Sequence, residues 1–156
     1  MFSSNLNFDE HVTYVLSICF QRLYLIKLLR SQKMPDNKLH IIFVALIISS
    51  NSYALSAWGG FLNSQQINMI NAFLRKARRF GICSSSCICD VSEYLRMIDS
   101  RLFNSIKSSS HCLSHLLPRE KQHFGLCLRG HCYALPICQS NLSKWSFIPL
   151  CLFCFL

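Results

Sequence analysis

The sequence predicts an all-α protein: a loose helical bundle over residues 1–117, then an irregular tail over 118–156. Three observations carry this expectation. Apolar residues recur at helical spacing in successive segments, capping residues precede those segments, and Gly or Pro follows them. At 156 residues the chain is long enough for one domain with a real core, and short for two.

The first helix is expected over 8–31. Asn7 can cap it, with Glu10 closing a capping box. Val12, Val15, Leu16, Cys19, Leu23 and Ile26 then form one continuous stripe. Asp9 and Glu10 stand at its positive end, Lys27 and Arg30 at its negative end, which suits the helix dipole. Pro35 fits the first turn of a second helix over 35–49. Residues 39–48 are apolar all round, which fits a buried helix or a buried strand, and length favours the helix. Gly59-Gly60 breaks the chain.

A third helix over 64–80 starts at Asn63 or Ser64, with Ile67, Ile70, Leu74 and Ala77 on one face. Arg75, Arg78 and Arg79 project from the opposite side, flanked by Lys76, and Gly81 ends the helix with a left-handed cap. Asp90 and Glu93 form a second capping box before a segment over 90–117, expected to break near Asp99-Ser100 and to stop at Pro118. Leu102, Ile106, Leu113 and Leu117 stripe it. Val12, Leu16, Leu23, Leu74 and Ile106 are expected to point inward. Gly125, Gly130, Pro136 and Pro149 interrupt every stripe in the tail.

Charge and hydropathy pull toward different partners. Sixteen Lys and Arg against seven Asp and Glu give a net charge of +9, which attracts phosphate-rich partners through its long-range field. Yet 51% of the residues are hydrophobic and the mean hydropathy is +0.29, high for a free-standing soluble domain. The best membrane candidate is "LHIIFVALIISSNSYALSAW", residues 39–58. A span needs about 20 mostly apolar residues, and Ser49-Ser50-Asn51-Ser52 would fall near mid-bilayer. A small membrane-associated protein anchored by residues 39–58 is the alternative to a phosphate binder. No secretory signal opens the sequence.

Ten cysteines invite a zinc reading, with Cys83 and Cys87 as one knuckle and His111 and His115 as the other. The gap between the knuckles exceeds the usual one, and Cys89 competes for the same role. No metal or cofactor is expected. The basic run "RKARR", carrying Arg75, Lys76, Arg78 and Arg79, has two readings: a solvated helix end that complements the dipole, or a grip on a nucleic-acid backbone. Tyr53 and Trp58 could stack on a base, although aromatics beside an apolar run more often join a core.

The order of segments gives a further pointer. "FDEHVTYVLSICFQRLYLIKLLR", the Tyr53-Ala54 pair with Trp58, "LRKARRFG", "HLLP" with Arg119 and "SFIP" follow one another over most of the chain. In that order they resemble the region downstream of the catalytic palm in non-LTR (LINE-type, jockey-like) retrotransposon reverse transcriptases. Met1 to Leu6 look like the remains of the turn that precedes the first helix in that family. The resemblance implies a thumb and connector that grip a primer-template, with RNA or DNA backbone as partner and a cytoplasmic or nuclear location.

It also implies that catalysis lies elsewhere. The family's palm holds its metal ions on an adjacent Asp pair, and Asp9, Asp36, Asp90 and Asp99 include no adjacent two. A noncatalytic fragment is therefore expected, with no catalytic residues and with the palm domain of the parent protein as its missing neighbour. Without that neighbour, apolar side chains of the second helix should stay partly exposed. The family tends to Pro near Ser56 and to Arg near Leu150 and Cys154, so this chain departs from it in the direction of decay.

Overall fold

A computed structural model describes residues 8–82, 90–120 and 132–154. It is all-α, with no strand among the described residues. In chain order the helices are α1 (Asp9–Ser31), α2 (Asp36–Phe43), α3 (Ser49–Ser52), α4 (Leu55–Trp58), α5 (Ser64–Arg79), α6 (Val91–Ile106), α7 (Asn141–Trp145) and α8 (Phe147–Cys154). A π turn at Val44–Ile48 links α2 to α3, and 3-10 turns lie at Gly59–Phe61 and Ser114–Leu116. The chain divides into two compact units, the first comprising Met1–Leu55 and Leu62–Tyr94, the second Ser56–Phe61 and Leu95–Leu156. The stretch around Gly59 and Gly60 joins the second unit, and α6 runs on past the divide.

Unit 1 is built on the stripe of α1. Val12, Leu16, Cys19, Leu23 and Ile26 are all buried, facing α2, the π turn and α5. Leu74 and Ile106 are buried too, so each residue expected to point inward does so. Asn7 lies outside the described residues, and Phe8 stands at the N-cap position without a side-chain cap bond. Pro35 occupies the cap position of α2 rather than its first turn. Ile41, Val44 and Leu46 stay exposed, as expected for the second helix.

The second helix does not stop at Ser49. It turns through the π segment and continues to Ser52, because the polar side chains bond back onto its own backbone. Ser50 Oγ donates to Leu46 O at 2.9 Å, Asn51 Nδ2 to Ile47 O at 2.9 Å, and Ser49 Oγ to Ala45 O. Such back-bonding satisfies hydroxyl and amide groups without water and distorts the helix that carries them.

α5 begins with a full capping box. Asn63 Oδ1 accepts from Gln66 N at 2.8 Å, and Gln66 Oε1 accepts from Asn63 N at 2.8 Å. Gly81 ends it at φ 65°, with Gly81 N donating to Arg78 O and Ile82 N to Ala77 O. These two bonds make a Schellman cap, which needs the left-handed residue that glycine supplies. The start of α6 is secured from further away. Asp90 Oδ1 accepts from Ser92 N at 2.8 Å, while Asn71 Oδ1 of α5 accepts from Val91 N at 2.9 Å.

α6 runs unbroken through Asp99-Ser100, where a break was expected, and ends at Ile106. Asp99 is buried on its inner face, so it belongs to the helix interior rather than to a helix end. The predicted helix over 90–117 is instead interrupted after Ile106, where Ser108, Ser109 and Ser110 favour turns.

Unit 2 centres on Phe103, Tyr133, Cys151 and Leu152, with Phe147 and Ile148 against them. Beside this cluster lies an apolar groove of about 420 Å³, lined by Leu113, Leu116, Pro136, Phe147 and Leu152 among others. Among the described residues the tail is irregular over 132–140 but helical over 141–145 and 147–154, where the sequence reading expects mostly irregular chain. The sequence marks Pro149 as a breaker. It lies in the first turn of α8, where the first helical bond comes from Leu150 N to Ser146 O, so no backbone donor is lost.

Candidate nucleic-acid interface

Contacts along α1 and α5 fix how the basic run is presented. Near their starts Gln66 Nε2 donates to Asp9 Oδ1 at 2.7 Å. Midway, the rings of Phe20 and Phe73 meet edge-to-face at 4.9 Å. Near their ends Lys27 Nζ lies 4.0 Å from the Phe80 ring centroid, and Arg30 Nη1 donates to Phe80 O. Residue numbers climb together on both helices, so the two run parallel and finish at the same end of unit 1.

Two parallel helix C-termini place two negative dipole ends side by side, and cations there are stabilising. The predicted residues Arg75, Lys76, Arg78 and Arg79 gather at this end. Arg75, Lys76 and Arg79 are exposed and Arg78 is half-buried. The structure adds Lys27 and Arg30, which the sequence reading assigned only to the dipole of α1. A shared feature could have flagged them, since α1 and α5 both end in basic residues.

These cations are held in different ways. Lys76 Nζ lies over the Phe20 ring at 5.0 Å, a cation–π contact that fixes its stem across α1. Arg30 has a side chain 44% exposed and stands 3.8 Å from Asp36 Oδ1, so part of its charge is already countered. Its guanidinium also lies against Gly81, where it would be 2.9 Å from an added Cβ. The result is a cluster of positive groups in which Lys27, Arg30 and Lys76 are held against Phe20 and Phe80. Arg75 and Arg79 are its outward members.

Other sequence candidates fare differently. Trp58 is buried and so is not open to a base, whereas Tyr53 is 80% exposed. Among the described residues no group of three or more His, Cys, Asp and Glu is placed to hold a metal ion. Cys83, Cys87 and Cys89 of the zinc reading lie outside the described residues. The described cysteines are free thiols, and burial with the charge of Asp99 beyond it pushes the Cys151 thiol up to about 12.

No family model, no curated protein and no solved structure matches the chain.

Proposed function

We propose that the chain is a noncatalytic, thumb-like fragment of a non-LTR retrotransposon reverse transcriptase that holds nucleic acid by its phosphate backbone. The gathering of Lys27, Arg30, Arg75, Lys76, Arg78 and Arg79 at the shared end of α1 and α5 carries this reading. Cations gathered at a helix end suit phosphates, which are spaced regularly and carry no sequence information. Contacts to phosphates carry no sequence information, so binding of this kind is expected to be independent of sequence. The sequence holds no adjacent Asp pair for the two-metal chemistry of polymerisation, which supports a binding role without catalysis.

The test is direct. The purified chain should bind duplex DNA and RNA–DNA hybrid of any sequence, more weakly as salt rises. It should extend no primer with magnesium or manganese. Salt-independent binding, or template-dependent nucleotide incorporation, overturns the reading.

A second reading has one specific observation in its favour. Asp9–Ser31 and Asp36–Phe61 are each long and apolar enough to cross a membrane by length and composition, and only 28% of each apolar window is buried. The self-bonded Ser49, Ser50 and Asn51 soften the polar break within the second of them. On this reading unit 1 associates with lipid through α1 and α2. A detergent requirement and co-flotation with vesicles at high salt would favour it over the phosphate grip.

A further inference from the structure

Unit 2 contains an acid that the phosphate grip does not use. Asp99 sits within α6 at 5% exposure, and its Oδ1 has no hydrogen-bond partner. Ser56 Oγ, shielded from water in the same unit, also lacks an aligned partner. It is nonetheless the polar group that acts on the Asp99 carboxyl. From α8, the buried Cys151 feels the charge of Asp99, which raises its thiol. One helical turn beyond Asp99, Phe103 joins Tyr133, Cys151 and Leu152 in the core of the unit.

An ionised carboxylate in such surroundings needs several donors and has one hydroxyl at hand, so its burial is costly. A protonated carboxyl carries its own donor. The neutral acid needs fewer donors than the carboxylate, and leaves no charge beneath α8. We propose that Asp99 is a proton-binding switch of unit 2: the neutral acid holds α8 against α6, and ionisation loosens that packing.

Burial raises the Asp99 carboxyl above its ordinary value of 3.8, with the Ser56 hydroxyl pulling the other way. The thiol that feels its charge does not compete for the transition. Cys151 is pushed up to about 12, so Asp99 loses its proton first. Because its folded-state value lies above the unfolded one, the stabilisation is complete below the unfolded value. It is lost as pH climbs through the folded value.

The experiment follows the Asp99 carboxyl by carbon-13 NMR in the whole chain, beside the variant Asp99→Asn. The Asp99 midpoint should lie above 3.8. Between the unfolded and folded values, the unfolding constant of the parent relative to Asp99→Asn should rise about tenfold per pH unit, then level off. Pulse labelling of Cys151 by a thiol reagent, mapped by mass spectrometry, should increase across the transition in the parent more than in Asp99→Asn. If Asp99→Asn does not fold, Ser56→Ala decides: removing the hydroxyl should raise the Asp99 midpoint further. A midpoint at or below the ordinary value, a midpoint that Ser56→Ala leaves in place or lowers, or Cys151 labelling that follows pH identically in parent and variant would overturn the switch.

Discussion

Unit 1 and unit 2 handle charge in opposite ways. Unit 1 carries cations at the rim of two parallel helices, where water and the dipoles both favour them, and leaves Arg75 and Arg79 outward. Unit 2 keeps Asp99 inside, where its ionised form has little to pair with. The exposed charges add little to stability and remain available to a partner. The buried one is coupled to folding and hence to pH. Placement thus decides whether a charge faces solvent or titrates with the fold.

Glycines sharpen that comparison, because each unit depends on one for a different reason. In unit 2, a Cβ at Gly60 would stand 2.5 Å from Trp145 O and 3.0 Å from Leu150 Cδ2. Backbone cannot yield there as a flexible side chain would. Gly60→Ala should therefore lower stability by about 1–3 kcal/mol in denaturant unfolding, the cost of overpacking. A neutral result would mean that α7 does not approach the Gly59–Phe61 turn so closely.

In unit 1 the constraint is conformational. Gly81 has φ 65°, and the nearest obstacle to a side chain is the movable guanidinium of Arg30. Gly81→Ala should cost roughly 1–2 kcal/mol for the left-handed backbone. It should also weaken nucleic-acid binding slightly, since Arg30 would be displaced from Phe80. Unchanged stability would remove the Schellman cap from this description of α5.

Much of unit 1 was legible in the sequence because its signals are local. The stripe from Val12 to Ile26, the start at Asn63 and the stop at Gly81 each depend on neighbours a few residues away. What escaped is long-range or depends on context. Nothing near Asn71 announces that its amide caps a helix beginning at Val91. The parallel pairing of α1 with α5, which brings Lys27 and Arg30 to the basic run, is set by Phe20 meeting Phe73 across the fold. Pro149 misled because a proline's effect depends on its place in a helix: harmless in a first turn, disruptive further in. The expected break near Asp99-Ser100 is absent because Asp99 is buried within α6, a placement that no neighbouring residue announces.

The phosphate grip is tested most directly by charge reversal. Arg75, Lys76, Arg78 and Arg79 would all be changed to Glu, with circular dichroism confirming that the helices persist. Binding to duplex DNA is then titrated across salt concentrations for parent and variant. Each phosphate contact contributes about −0.9 to the slope of log K against log salt. The parent should show a steep negative slope, and the variant a much shallower one with much weaker binding. A variant that keeps the parent's slope would return these four residues to the role of dipole partners on a solvated helix end.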